Sequence, residues 1–166
     1  MARQSLRDVG ITPSVLDRLI DLEPRLSTES VSSRFGGVDE LKRAVRRDLE
    51  WLLNTRRMVG IYAEAGEEIN RSIVTYGVPD ITGVNIESKA ESSGLRSAVE
   101  EAIRIFEPRF IDVSVSMEPM TSLDRQLRLK IEAKLDVDPV PEPMVFDTVL
   151  QLGSGTIAVT EAAPNS

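Results

Sequence analysis

The chain has 166 residues, enough for one domain with a real buried core, and its 28% charged and 41% hydrophobic residues are ordinary for a globular protein. Its 20 basic against 27 acidic side chains leave a formal charge of -7, without the positive field that broad nucleic-acid or anionic-membrane binding needs. With no histidine and no cysteine, disulfides, thiolate nucleophiles, imidazole bases and the usual zinc sites are excluded, and no cofactor or metal is expected.

In chain order, residues 1–11 read as a flexible N-terminus. MARQSLRDVG lacks the apolar run of a signal peptide, and no later window reaches the roughly 18 apolar residues of a membrane span. A cytoplasmic location without membrane insertion is expected. Thr12-Pro13-Ser14 marks a helix start, with a cap residue ahead of a proline at the first helical position. Val15, Leu16, Leu19 and Ile20 follow on one face, and Pro24 stops the helix.

A longer helix follows Gly36-Gly37. Val38, Leu41, Val45, Leu49 and Leu52 form its apolar stripe, and Asp39 and Glu40 complement its dipole. Lys42, Arg43, Arg46 and Arg47 lie on its other surface, either as a solvated face or as a partner site. Residues 61–89 read as connecting structure containing the turn-forming Ser72-Ile-Val-Thr-Tyr-Gly-Val-Pro-Asp80. Ser92 or Ser93 is expected to cap a third helix, with Leu95, Val99, Ala102, Ile103 and Phe106 on its buried side.

After Pro108 the period changes from helical to alternating. Ile111, Val113, Val115 and Met117 are expected on one face of a strand. In the next, Leu127, Leu129, Ile131, Ala133, Leu135 and Val137 share one face, and Arg128, Lys130, Glu132, Lys134 and Asp136 share the other. Prolines 139, 141 and 143 make a stiff turn into a third strand, Met144 to Leu150, and Gly153-Ser-Gly155 leads into a short fourth, Thr156 to Thr160. Residues 161–166 read as a disordered tail. The fold class is α+β: N-terminal helices, then a three- to four-stranded antiparallel meander packed on them.

FEPRF, Phe106 to Phe110, sits at the change of period, and LEPRL recurs at Leu22 to Leu26. Pro108 lacks an N–H and keeps Glu107 out of the helical region, so the helix must stop and the strand can begin at once. Glu107 and Arg109 point the same way in extended backbone; they pair with each other, or both reach for one partner surface. The planar fork of Arg109 suits carboxylates and carbonyls in buried interfaces, and Phe106 and Phe110 are expected to form an apolar rim. A partner-binding pair of this kind should be dispensable for the fold, so that Arg109→Ala stays folded. Glu23-Pro24-Arg25 has no matching helix and strand around it and reads as coincidence.

A glycosidase needs only two carboxylates, with Glu107 as proton donor and Asp112 or Glu118 as the second group, about 5–9.5 Å apart in a sugar-gripping cleft. Such clefts are usually lined with aromatic rings. This chain has one Trp, two Tyr and four Phe, and Trp51, beside the apolar stripe, reads as core. No catalytic residue is expected. A sugar-sized groove in which another ionised carboxylate faces the pair would reverse that reading.

Five segments occur in a telling order: Ser14-Val-Leu-Asp-Arg-Leu19, Arg47-Asp-Leu-Glu-Trp-Leu-Leu-Asn-Thr-Arg56, Ser72 to Asp80, Ile105-Phe-Glu-Pro-Arg109 and Pro141-Glu-Pro-Met-Val-Phe146. Together they resemble the TssE family of bacterial type VI secretion systems, part of the phage baseplate-wedge family that carries a lysozyme-like label. The resemblance spans residues 12–160 and implies a single baseplate-wedge domain there. It implies a structural part rather than an enzyme, which binds other baseplate wedge proteins and sheath subunits and helps start the contractile sheath. It also implies that Glu107, Pro108 and Arg109 are the contact site, with no nucleic acid or small-molecule substrate. The alternatives are the same role in a phage tail or extracellular contractile particle, which genomic neighbours would separate, and a peptidoglycan hydrolase. An antiparallel sheet with a free edge can accept a strand from a partner. The five charges on the outer face of residues 127–137 are expected to guard such an edge.

Overall fold

Two periodicities, 3.6 and then 2, divide the chain into a helical half and a strand half. A computed structural model describes residues 14–20, 25, 37–57, 66–80, 88–118, 126–151 and 155–162. Its elements are α1 (Val15–Leu19), α2 (Val38–Asn54), α3 (Glu67–Asn70), a single 3-10 turn at Ile73–Thr75, α4 (Lys89–Phe106), β1 (Phe110–Met117), β2 (Gln126–Leu135), β3 (Glu142–Gln151) and β4 (Ile157–Ala162). The four strands form one antiparallel sheet in the order β1-β2-β3-β4. This is the expected α+β arrangement.

The helix stripes are the core. Leu41, Val45, Leu49, Leu52 and Leu53 of α2, and Leu95, Val99, Ala102 and Ile103 of α4, are buried. They meet Leu127, Leu129, Ile131, Ala133 and Leu135 of β2, and Met144, Phe146 and Leu150 of β3. Helix α4 lies against β1, and α2 against β4. Among the cations of α2, Lys42 pairs with Glu142 at 2.7 Å, and Arg43 and Arg46 are exposed.

Several boundaries differ from expectation, each for a local reason. Ser14, not Thr12, caps α1; its hydroxyl accepts from the Asp17 N–H while Asp17 accepts from the Ser14 N–H, a reciprocal capping box. Helix α1 ends at Leu19, and Glu23 and Pro24 lie outside the described residues. Ser88 caps α4, four positions before Ser92. Ser92 instead sits inside the helix and donates back to the Lys89 carbonyl at 3.2 Å, which satisfies its hydroxyl without a cap. Strand β4 runs to Ala162, which pairs with Val145.

The expected face of β1 is wrong at its start. Phe110 and Val113 are buried, whereas Ile111 is exposed. Asp112 has φ 54°, and the pairing with β2 slips between Ile111 and Ser114. The extra residue is a β-bulge, which reverses the in–out phase of everything before it. Asp is among the few residues other than Gly that tolerate this left-handed conformation.

The two edges of the sheet differ. On β1, Arg104 donates to the Val113 carbonyl at 3.0 Å and Glu100 accepts from the Val115 N–H at 3.3 Å. Arg104 and Glu100 also pair with each other at 2.6 Å, so α4 caps this edge with an ion pair. On β4, Asn54 at the end of α2 grips Ile157 twice: it donates to the carbonyl at 2.8 Å and accepts from the N–H at 2.9 Å. Beyond Ile157 the alternation turns the backbone of Val159 and Glu161 to the same side. Among the described residues, no side chain closes on them. The charged face of β2 guards neither edge, because β2 is an inner strand; its charges cover the solvent side of the sheet.

Two of the quoted segments meet. The Thr55 carbonyl accepts from the Val78 N–H at 2.9 Å, and the Val78 carbonyl accepts from the Arg57 N–H at 2.9 Å. Gly77, at φ 111°, lets this approach happen. Its neighbour Tyr76 packs edge-on against Phe106, centroids 5.2 Å apart, which ties the turn to the end of α4.

Candidate partner-binding site at the Glu-Pro-Arg junction

Glu107 closes α4, its N–H still bonded to the Ile103 carbonyl at 2.9 Å. Pro108 cannot continue the ladder. The Phe110 N–H bonds back to the Glu107 carbonyl at 3.1 Å, and the Arg109 carbonyl accepts from Asp136 at 2.8 Å. Three residues thus turn helix into strand and are fastened to the end of β2.

The acid and the base pair with each other. Arg109 donates from Nε to Glu107 Oε1 and from Nη2 to Oε2, both at 2.6 Å, a bidentate fork. The guanidinium also reaches Asp48 Oδ2 at 2.7 Å and Asp17 Oδ2 at 3.4 Å. Arg47 completes the network, donating to Asp17 Oδ1 and Asp48 Oδ1 at 2.7 Å each. Two guanidiniums and three carboxylates from α1, α2 and the junction therefore form one chain of ion pairs. The Glu107 side chain is only 4% exposed and that of Arg109 13%, while Pro108 faces solvent.

Charge states follow from this packing. Burial would lower the Arg109 value, but the hydrogen bonds and charge of Glu107 and Asp48 outweigh it and raise it above the ordinary one. Arg47 is raised likewise, with burial opposing and Asp17 and Asp48 prevailing. Burial raises the Tyr76 hydroxyl, helped by the negative charge of Asp48 and Glu107. For Asp17 burial acts upward, yet the hydrogen bonds from Arg47 and Ser14 take the carboxyl below its ordinary 3.8.

A carboxylate lowered in the folded state stabilises the fold above its unfolded value and loses that contribution as pH falls through the folded one. The hold of Asp17 on α1 is thus intact at neutral pH, begins to fade only near pH 3.8, and is lost as pH falls through the lower folded value. NMR signals of α1 amides are expected to move toward free-peptide positions in that acid range while α2 amides keep helical chemical shifts. Asp17→Asn should release α1 at neutral pH; a fully docked α1 in that variant would refute the assignment.

Beside the network lies a cleft of about 420 Å³, walled by Trp51, Leu52, Tyr76 and Phe106 and by Val15 and Leu16 of α1. Asp48, Glu107, Pro108 and Arg109 line it too. Trp51 is therefore not core: it is 51% exposed, with the Arg47 guanidinium 5.2 Å from its ring centroid. It stands two residues past Leu49, about 200° around the helix from that buried leucine, and so off the centre of the stripe. Phe110 is not a rim residue either, being 6% exposed and packed edge-on against Phe146.

The groove with a second carboxylate, the arrangement that would mark hydrolysis, is present in outline, but a cation stands between the two carboxylates. The Arg109 guanidinium bonds Glu107 and Asp48 at once and stands between them. A general acid must hand a proton to the bond it cleaves, and both oxygens of Glu107 are instead held by Arg109. Asp112 pairs with Lys134 at 2.8 Å on the bulge, and Glu118 follows β1; neither lines the cleft. Among the described residues no group of three His, Cys, Asp or Glu could hold a metal ion.

Sequence reasoning paired Glu107 with Arg109 and missed Asp17, Asp48 and Arg47. A signal existed: both missed acids lie in segments singled out for the resemblance, Ser14 to Leu19 and Arg47 to Arg56. Burial bears on the expectation that Arg109→Ala stays folded: that change would strand Glu107, 4% exposed, inside the protein, so a loss of stability is expected.

No helix among the described residues is long and apolar enough to cross a membrane. No curated protein matches the sequence. A family model described as baseplate wedge protein gp25 matches residues 39–140, more than half the chain, from α2 past β2 and including Asp48 and Glu107 to Arg109. The chain belongs to the family of baseplate wedge protein gp25.

Proposed function

We propose that this baseplate protein is a cytoplasmic wedge component of a type VI secretion system and no enzyme. In this reading it docks other wedge proteins around Glu107, Pro108 and Arg109 and helps initiate the contractile sheath within a single domain of residues 12–160. The observation that carries the reading is the build of the junction. Pro108 and Trp51 are exposed above a locked Glu107–Arg109 pair, which offers a rigid surface for docking and no free acid for turnover. The stretch of β4 after Ile157, on which no side chain closes among the described residues, adds support, since a sheath subunit's strand could extend the sheet there by β-augmentation.

The test uses variants that spare the buried network's charge. Trp51→Glu alters an exposed ring at the cleft mouth, and Arg109→Lys keeps a cation but loses the fork. Both proteins are expected to fold. Capture of purified wedge proteins should fall by about tenfold or more, and tagged sheath should fail to assemble in cells. Normal sheath assembly in both folded variants would overturn the docking role. Clearing of cell walls by the purified protein, lost in Glu107→Gln at unchanged stability, would point to hydrolysis instead.

A further inference from the structure

Helix α2 lies against β4, and its last residue, Asn54, stands at the start of that strand. In an antiparallel rung, one residue exchanges an N–H and a C=O with the single residue opposite. Asn54 does the same to Ile157 with its side-chain amide, donating at 2.8 Å and accepting at 2.9 Å. The amide thus takes the place of one residue of a neighbouring strand. Its second N–H goes to the Glu50 carbonyl at 2.8 Å, which ties the amide to its own helix. Arg56 holds the Gly155 carbonyl just ahead of the strand. An arriving strand that displaced Asn54 would exchange two hydrogen bonds for two and gain little. From Ile157 the outward backbone groups recur at Val159 and Glu161. Among the described residues no side chain closes on these two. Val159 is 5% exposed, and Glu161 shares its face of the strand but is exposed near the end of β4. A charge turned to the inner face of an edge deters indiscriminate pairing. An opposite charge directly across would favour pairing, and a like charge would oppose it.

We infer that Asn54 is a register stop for strand uptake: a partner's strand pairs antiparallel with Val159 and Glu161 and ends beside Asn54. The antiparallel sense follows from the greater stability of that ladder per residue. The partner strand carries a basic residue opposite Glu161 and an apolar one opposite Val159, where the side chain turns to the helix-covered side of the sheet. A shift by two residues toward the start of β4 would bring a rung onto Ile157, which Asn54 already fills. A shift the other way gives up the rung at Val159. Asn54 is in this sense a specificity-determining residue, acting through the strand that it terminates. The inference deepens the proposed strand uptake at β4 and rests on it.

The probe is a strand appended to the full chain behind a flexible Gly-Ser linker, which supplies a high effective concentration. One version reads Thr-Lys-Thr-Val-Thr and stops opposite Ala158; a longer one adds a valine that reaches Ile157. Amide exchange and cross-strand NMR contacts give the register. In the wild type both versions are expected to slow exchange at Val159 and Glu161 by about tenfold or more and to leave Ile157 as it is without a strand. Glutamate in place of the lysine should reverse most of that protection. In Asn54→Ala the Ile157 amide should exchange faster without a strand and be protected again by the longer version alone. Asn54→Asp, which keeps the acceptor and loses the donor, is a second variant and should also admit the longer strand at Ile157; unchanged α2 and β2 signals show that each variant is folded. Pairing of the longer strand with Ile157 in the wild type, or the same paired residues in all three proteins, would refute the register stop while strand uptake stands. If neither strand protects Val159 or Glu161 in any of them, strand uptake and the stop fall together, and docking around Glu107 and Arg109 is untouched.

Discussion

Arg109→Ala is expected to lower the free energy of unfolding by about 3–5 kcal/mol, the usual cost of breaking one side of a buried ion pair. The magnitude rests on what stays behind. Glu107 keeps its negative charge with only 4% of its side chain exposed, and Asp48 and Asp17 lose a shared cation. At roughly 2–4 °C per kcal/mol for a chain of this size, the thermal midpoint should fall by about 6–20 °C. Calorimetry or denaturant unfolding would measure it. A second variant separates charge from packing: in Arg109→Met with Glu107→Leu, both partners of the fork become apolar, and much of the loss should return. If Arg109→Ala unfolds at the wild-type midpoint, the guanidinium does not hold the junction together. Arg109→Ala is therefore a poor probe of partner binding, since a lost interaction and a lost fold would look alike in cells.

Gly77→Ala is expected to cost roughly 2–4 kcal/mol, from backbone strain plus a broken hydrogen bond. Gly77 has φ 111°, where a side chain is strained whatever the space around it. A Cβ built there would also stand 2.4 Å from the Thr55 carbonyl oxygen, backbone that cannot swing aside. That same oxygen accepts from Val78 at 2.9 Å, so any retreat pulls apart the link between the end of α2 and the turn. Gly94→Ala is the control. It lies inside α4 with open space where its Cβ would be, and alanine there should stabilise by about 0.5–1 kcal/mol. Denaturant midpoints of opposite sign for the two substitutions are the expected result; a Gly77→Ala protein as stable as wild type would contradict the close approach.

The elements that could be foreseen are those whose signal repeats. Leu127 to Leu135 alternate without a break, and all five core-facing residues are buried. Leu41, Val45, Leu49 and Leu52 recur at three and four residue steps and are buried too. Single-residue events carry no period. Nothing in the letters around Asp112 announces a bulge, so Ile111 was expected on the wrong face. Ser88 and Ser92 are equally good caps by composition, and only the three-dimensional fit of α4 chooses between them. The ion-pair network is harder still. Residues 17, 48 and 107–109 are far apart in sequence, and their meeting depends on how α1 and α2 pack beside the helix–strand junction. Local reasoning could pair Glu107 with Arg109 because they stand at i and i+2, with only Pro108 between them. It had no means to say that Asp48 stood opposite.

The unequal borders of the sheet bear on how the protein behaves in a crowded cell. Open-ended growth of strands into a fibre needs two receptive borders per molecule, one to join the stack and one to extend it. Here the ion pair of Arg104 and Glu100 seals the first border, and Asn54 shields the beginning of the last. Among the described residues, the border left for two stray copies to meet through is the remaining stretch of β4, and that encounter would consume the receptive border of both. Chance association therefore stops at a pair.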